Sequence, residues 1–357
     1  MISDSSSLRF FTAQDADPNA LDGERVAVVG YGHLGRPFAL NLRDAGTSPL
    51  VVGNIADEYA EQARADGFTV LPIGEAAATS DIVLILLPDE IIPEVFAADG
   101  STELAKVLAP NLSPGSAIVL ASGYTLTYGL IEPPAGIDVL LLAPRMAGEN
   151  ARQRFLNRQG FFAYVSVEQE ASGKAWTRLL GLAHAVGVLW AGALELDARR
   201  EADLDLFVEQ TLGAVLGVSI MSAFAIGVEA GIPPEAMVME MYMSGEMETV
   251  WRAFCEKGFF QASNVHGPTA MFGGFVRTMQ LMQSDLSARF RETLEEIQSG
   301  EFARQFQAER EAGYPTLTQA RLMTAEEGPI AQPIAQAEAR LRAILSGKGA
   351  RDVTESL

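Results

Sequence analysis

The stretch "VAVVGYGHLGRPFALNLRDAG", residues 26–46, constrains the fold more than any other part of the chain. Gly30, Gly32 and Gly35 stand in Gly-x-Gly-x-x-Gly spacing, directly behind the β-prone run "RVAVV" and directly ahead of a helical stretch. That context, more than the spacing alone, marks a strand–turn–helix unit that cradles a dinucleotide. Gly30 permits the tight turn, Gly32 lets the backbone approach a pyrophosphate, and Gly35 lets helix and strand pack closely. The helix start then offers unpaired N–H groups and a partial positive charge to the phosphates. His33, inside the turn, is expected near the phosphates or in solvent and not in chemistry.

The rest of the N-terminal half repeats the theme. "PLVVG" (49–53), "DIVLILLP" (81–88), "SAIVLAS" (116–122), "DVLLLAP" (138–144), "FFAYVSV" (161–167) and "GVLWAGAL" (187–194) are near-continuous apolar runs separated by amphipathic stretches. Parallel strands covered by helices on both faces read this way. A doubly wound α/β Rossmann domain is therefore expected over 24–194, behind a polar, acidic arm (1–23) that is either mobile or added to the domain edge. From about residue 195 the strand signal stops. The segment 206–230 reads as one very apolar helix ending at Gly231, and further helices follow, which predicts an all-α domain over 195–345 and a frayed tail over 346–357. Such a helix needs cover, and a second copy of the chain is the expected source.

Bulk properties narrow the function. A chain of 357 residues with 48% hydrophobic content supports two domains with real cores. The formal charge of −20 repels nucleic acid and anionic membranes, so a small-molecule role is expected. No run of about 18 apolar residues free of charge is recognised, so no membrane span is expected. One cysteine, Cys255, excludes an intrachain disulfide and suits a reducing cytoplasm; its neighbours Trp251 and Phe254 suggest a core position.

The end of the second strand, "VVGNIADEYAEQ", bears on the choice of dinucleotide. A 2′-phosphate calls for Arg, Lys or Ser nearby, and this loop holds none, while Asp57 and Glu58 would repel a phosphate and can accept from a ribose hydroxyl. NADH is thus expected over NADPH, although both acids also suit the start of the next helix. The expected cofactor contacts are Gly30, Tyr31, Gly32, His33, Leu34 and Gly35 in the turn, Asn54, Asp57 and Glu58 after the second strand, Leu87 and Pro88 after the third, and Gly123 after the fourth.

Beyond the glycine turn and "ALNLRDAG", the segments "ILLPDEIIPEVF" (85–96), "LASGYTLTYGLIEPP" (120–134), "LLAPRMAG" (141–148), "DLFVEQ" (205–210), "EAGIPPE" (229–235) and "EIQSGEFA" (296–303) follow in an order that resembles the ketol-acid (acetohydroxyacid) reductoisomerases. The resemblance covers roughly residues 24–345. It implies a Rossmann domain, a helical dimer-forming domain, two Mg²⁺ ions, an alkyl migration and a nicotinamide reduction of the resulting 2-keto acid. Asp205 and Glu209, four apart and so on one helical face, match the family's metal-binding carboxylates. Glu240 matches the first of two glutamates that the partner subunit supplies; four residues on stands Ser244. Glu246, six residues on, faces away on a regular helix and would substitute only if a two-residue insertion near "SGE" shifts the register, so the second ion has lost a ligand or been rearranged.

Several departures fall on the reaction centre. Ser122 stands where the family has a histidine thought to handle protons, and serine has no pKa near neutrality. Arg145 replaces a lysine with a planar cation that cannot share a proton but can clamp a carboxylate. Ala147 and Gly148 replace a proline–glycine pair. In "GPTAMFG", Gly267 and Met271 fall at substrate-binding positions, with Ser263 or His266 as further candidates. Alkyl migration needs two well-charged metals, whereas hydride transfer needs a bound nicotinamide, a donor to the carbonyl and alignment. Ser122, Arg145, Asp205 and Glu209 are accordingly the candidate catalytic residues of a nicotinamide-dependent, Mg²⁺-assisted reductase of a 2-keto or hydroxy-keto acid. A true ketol-acid reductoisomerase, a non-catalytic nucleotide-binding relative and an imine-handling enzyme remain as alternatives.

Overall fold

The apolar runs become the middle of one nine-stranded sheet. The computed structural model describes residues 8–96, 107–146, 148–262 and 267–346 and divides into two units, Met1–Asp205 and Leu206–Leu357. In the first unit the strands are β1 (Phe10–Phe11), β2 (Val26–Val29), β3 (Leu50–Gly53), β4 (Thr69–Leu71), β5 (Ile82–Ile85), β6 (Ala117–Leu120), β7 (Asp138–Pro144), β8 (Ala163–Gln169) and β9 (Ala193–Glu195), in the order β1-β9-β8-β7-β6-β5-β2-β3-β4. The six strands β2 to β7 are parallel. β8 runs antiparallel to β7, and β1 antiparallel to β9, so the sheet is mixed where a parallel one is predicted. An apolar run reads the same in either direction, which hides this reversal from sequence.

Successive strand residues point to opposite faces. Val26, Val28, Ile82 and Leu84 join one buried cluster with Phe38 and Leu42, while Ala27, Val29, Val83 and Ile85 join another with Ile118 and Leu120. Both faces are thus dry, the physical reason that these strands show no polar alternation. The described part of the arm joins the sheet's far edge through β1, where Phe11 is buried against Trp176, ring centroids 5.2 Å apart.

One polar network lies inside this apolar body. The helix Ala175–Ala185 carries Arg178, whose guanidinium donates to Glu24 at 3.0 and 3.2 Å, to the Gly115 carbonyl at 2.7 Å and to Asp138 at 3.1 Å. Asp138, fully buried at the start of β7, also accepts from the Ser172 hydroxyl and from two backbone N–H groups. Burial alone would raise this carboxyl; the Ser172, backbone and Arg178 bonds together hold it below the ordinary value.

From Leu206 onward the described residues form no strand. One helix, Ala198–Glu229, passes into a π-turn at Glu209–Gly213 and stops ahead of Gly231, whose φ is +88°. The next helix begins at Pro234 and also widens into a π-turn, Met239–Met243. It ends at Ser244 and Gly245, where φ is +81°, and Glu246 opens a new helix; the regular helix assumed for the 240–246 spacing does not exist. Phe224, Val238, Ala337 and Leu341 make a small core.

The helix Ala198–Glu229 contains an 18-residue window of mean hydropathy 2.0 and is by length and composition able to cross a membrane, because the Ser, Thr and Gly residues that interrupt its apolar run carry no charge. Only 17% of that window is buried within the chain, and Leu212, Leu216, Val218, Met221 and Ile226 are exposed. Cys255 is also exposed, against expectation: Trp251, Phe254 and Phe259 meet edge to face and do not enclose it. Ala147, Ser263, His266 and the tail from residue 347 lie outside the described residues.

Candidate active site

The glycine turn has the geometry its spacing predicts. Gly30, with φ +92°, lies so close to the chain after β5 that a Cβ there would stand 2.6 Å from the Leu86 carbonyl oxygen. Gly35 opens the helix α1 (Gly35–Asp44), and a Cβ on it would stand 2.0 Å from the Gly30 carbonyl oxygen. A Cβ on Gly32 would meet nothing within 4 Å, so the backbone there is open to an approaching group. No side chain caps the start of α1 and Leu34 holds the cap position; Pro37 has no N–H and the Arg36 N–H donates to the Gly32 carbonyl at 3.2 Å, so the Gly35 N–H is the one at the helix start left for an anion. These features fit a pyrophosphate.

The neighbours of the turn divide into supports and walls. Tyr31 is buried and its hydroxyl donates to Asp66 at 2.9 Å. Arg36 also donates to Asp66, at 2.7 and 3.3 Å, and this guanidinium pulls the Asp66 carboxyl down to about 2. The Tyr31 ring is therefore a strut beneath the cradle. His33 is exposed and packs on Gly148, where an added Cβ would stand 2.2 Å from the ring. A cavity of about 470 Å³ is lined by Tyr31, Gly32, His33, Arg36, Glu58 and Tyr59, among others. Asp57 caps the helix α2 (Glu58–Ala65): its Oδ1 accepts from the Ala60 N–H at 3.0 Å and from Asn54 at 2.7 Å. Glu58 thus faces the cavity while Asp57 holds the helix that presents it. Arg36, absent from the sequence-level set, lies in the same cavity; a basic residue one position beyond the glycine motif was the available signal.

A second cluster forms where β5, β6 and β7 end. Leu87 and Pro88 follow β5, and Asp89 comes next. The Ser122 hydroxyl, beyond β6, accepts from the Tyr124 N–H at 3.1 Å, which aims its proton elsewhere, and it bonds the Asp89 side chain. Burial, reinforced by the negative charges of Glu201, Glu90 and Asp205, pushes the Asp89 carboxyl up to about 7 against that bond. Gly123 lies under the long helix: a Cβ there would stand 2.0 Å from the Ala198 carbonyl oxygen, and its N–H donates to Glu201 at 2.7 Å. Glu201 is buried, which raises its carboxyl, with the Gly123 bond and Arg145 opposing. Arg145, just past β7, donates to Glu201 at 2.8 Å and to Asp205 by a second, short bond, with its guanidinium 5.0 Å from the centre of the Tyr164 ring. The fold therefore gathers Ser122, Arg145 and Asp205 and adds Asp89 and Glu201, which sequence reasoning missed. Glu201 stands four residues before Asp205, as Glu209 stands four after, so its place in that acidic stripe could have revealed it.

The magnesium set is less complete. Among the described residues, no group of three or more His, Cys, Asp or Glu is assembled to hold a metal ion, and Asp205 already engages Arg145. One chain therefore does not by itself fit the magnesium pair that the resemblance implies. Glu209 and Glu240, both exposed, each lie in a π-turn, a feature frequent at functional sites. Gly267 precedes the helix Pro268–Met282, on which Met271 is exposed.

Known proteins match both units. Residues 20–192 match the family described as acetohydroxy acid isomeroreductase, NADPH-binding domain, and residues 199–346 match the ketol-acid reductoisomerase C-terminal domain. A protein of Saccharolobus solfataricus named "Putative ketol-acid reductoisomerase 3" is 35% identical over 309 residues, which are 85% of this chain and 90% of that one. The solved structure of an NADH-preferring ketol-acid reductoisomerase from an uncultured archean superposes with a TM-score of 0.85 at 29% identity, over 94% of this chain and 99% of that one. A semialdehyde dehydrogenase NAD-binding protein from Cupriavidus necator shares the fold, with a TM-score of 0.56 at 18% identity over 77% of this chain and 99% of that one. With a dinucleotide cradle, a cluster of acids at the strand ends and both family domains in sequence, the chain belongs to the ketol-acid reductoisomerase family and is an NAD(P)-dependent oxidoreductase.

Proposed function

We propose that the chain uses NADH to reduce a 2-keto or hydroxy-keto acid that needs no prior alkyl migration, and that it works in the cytoplasm as a homodimer or a multiple of one. The observation that carries this reading is the Asp89–Ser122 pair within electrostatic reach of Glu201 and Asp205, the two acids that Arg145 holds. Carbonyl reduction requires a hydride, a proton and a group that steadies the oxygen. When bound, NADH supplies the hydride. Asp89, with its carboxyl pushed up to about 7, holds a proton near neutrality, and the Ser122 hydroxyl is its hydrogen-bonded outlet. Ser122 thus acts as a conduit for a proton held on a carboxyl, in a role that serine alone cannot fill. The cationic Arg145 places positive charge among the acids, so that an anionic substrate is not simply repelled.

Magnesium enters this reading at Asp205 and Glu209, with Glu240 from a second copy, as one ion that must contend with Arg145 for Asp205. Migration requires two ions to polarise adjacent oxygens, which this arrangement disfavours. A second copy covering the exposed apolar residues of the helix Ala198–Glu229 accounts for a face that would otherwise stand in water.

NADH oxidation measured with hydroxypyruvate, a keto acid ready for reduction, and with acetolactate, which must first rearrange, tests the reading. The expected result is a kcat/KM at least about tenfold higher for hydroxypyruvate, equivalent to about 1.4 kcal/mol in the barrier. Acetolactate turnover at equal or higher kcat/KM identifies a genuine reductoisomerase.

The coenzyme preference has its own test. Support for NADH comes from Glu58 in the cavity wall and from the NADH preference named for the similar archaeal enzyme. Asp57→Ser combined with Glu58→Arg keeps a capping hydroxyl on α2 and replaces a repelling acid by a donor to a 2′-phosphate. The NADPH/NADH ratio of kcat/KM is expected to rise at least about tenfold, since one hydrogen bond to a charged group contributes about 1.5 kcal/mol or more. An unmoved ratio removes Glu58 from the ribose site.

A further inference from the structure

Arg145 has a place in this site that its replacement of a lysine does not explain by itself. Its two terminal nitrogens reach two carboxylates one helical turn apart, Glu201 at 2.8 Å and Asp205 by a shorter bond. The Glu201 side chain is only 1% exposed, and its other oxygen takes the Gly123 N–H at 2.7 Å. A carboxylate so placed is costly unless a cation and hydrogen bonds satisfy it. The guanidinium lies against the Tyr164 ring, and its Nε is buried without a hydrogen-bond partner, so packing fixes the fork in place. A lysine ammonium carries its three donors on one atom, so it lacks the two separate nitrogens with which this planar fork spans both acceptors.

We propose that Arg145 is the resident cation of this site, holding Glu201 and Asp205 in the manner of a metal, so that a divalent ion reaches Asp205 only by displacing a guanidinium arm. The consequence is weak divalent binding at Asp205, in direct competition with the guanidinium. This deepens the proposed reductase reading, on which it rests for the place of Asp205 beside the substrate.

Metal affinity is measurable without turnover. The full chain, with and without NADH, is titrated with Mn²⁺ and the bound ion is followed by electron paramagnetic resonance. Three proteins are compared: the natural chain, Arg145→Lys, and Arg145→Met with Glu201→Gln, in which no buried charge is left unpaired. The double variant is expected to bind Mn²⁺ at least about tenfold more tightly than the natural chain, with Arg145→Lys between them, because a point charge releases one of the two acids. Adding Asp205→Asn to the double variant should abolish the gain. Equal affinity across the series, no binding in any of them, or a gain that survives Asp205→Asn overturns the proposal. Arg145→Lys keeps the positive charge, so the comparison stands even where the double variant folds poorly. Binding that follows the expected series while hydroxypyruvate is not reduced would refute the reductase reading and leave the cation assignment intact.

Discussion

Gly35→Ala is expected to lower NADH affinity by at least about tenfold, the loss of one hydrogen bond to a charged phosphate at about 1.5–3 kcal/mol. The added methyl would stand 2.0 Å from the Gly30 carbonyl oxygen and 2.8 Å from its carbon, both of them backbone atoms that cannot rotate aside. Gly35 has ordinary helical backbone angles, so the cost is purely one of space. Relief requires α1 to move away from the turn, and α1 carries the Gly35 N–H on which the pyrophosphate would rest. Gly32→Ala is the instructive contrast, since its methyl meets nothing within 4 Å in the chain itself. It should leave thermal stability unchanged and weaken NADH alone. Fluorescence titration of bound NADH reads both variants, and Gly35→Ala binding at the natural affinity would refute the cradle assignment.

Arg178→Met is expected to be the most destabilising substitution far from the site, by about 3–5 kcal/mol, the usual cost of stranding a buried charge. Its removal leaves Asp138, fully buried, and Glu24 without their cation, and leaves the Gly115 carbonyl short of a donor. For a unit of this size each kcal/mol lowers the melting temperature by about 2–4 °C, so a fall on the order of 10 °C should appear in a calorimetric scan. The effect has a pH signature. Asp138 has its carboxyl lowered by folding, so its contribution is complete above the ordinary carboxylate value and disappears as pH falls through the lowered one. The gap between the natural chain and the variant should therefore narrow in acid. A melting temperature within 2 °C of the natural chain near neutral pH would show that the network contributes nothing.

The sheet was largely legible because its strands are dry on both faces, which leaves the apolar runs unbroken. The two strands that escaped are short and peripheral: Phe10–Phe11 is two residues in an acidic arm, and Thr69–Leu71 is three at the opposite edge. Neither is long enough to show a period. The reversal at β8 escaped for another reason, since strand direction depends on how the chain returns to the sheet and not on what it contains. In the site, spacing revealed what is local: the glycines, and the run from Asp205 to Glu209. It did not reveal what is assembled from afar. Asp89, Ser122, Arg145 and Glu201 come from four separate segments, and only folding shows that one guanidinium serves two acids of the long helix. Cys255 shows the opposite failure, for aromatic neighbours in sequence suggest a core and in fact line a surface.

The π-turn at Glu209–Gly213 makes the long helix tolerant of a cut in one sense and intolerant in another. A wide turn holds one residue more than an α-turn, so deleting a single residue from it would let the backbone close into a regular spiral with every hydrogen bond regained. Yet each residue of an α-helix advances the azimuth by about 100°, so a single deletion just beyond the wide turn, in the regular helix that opens at Ala214, would swing everything from there to Glu229 around the axis by that angle. Leu216 and Ile226 would then point a quarter-turn or more away from the stripe they now share with Leu212. A lesion nearly silent to circular dichroism would thus be felt wherever that stripe has to dock.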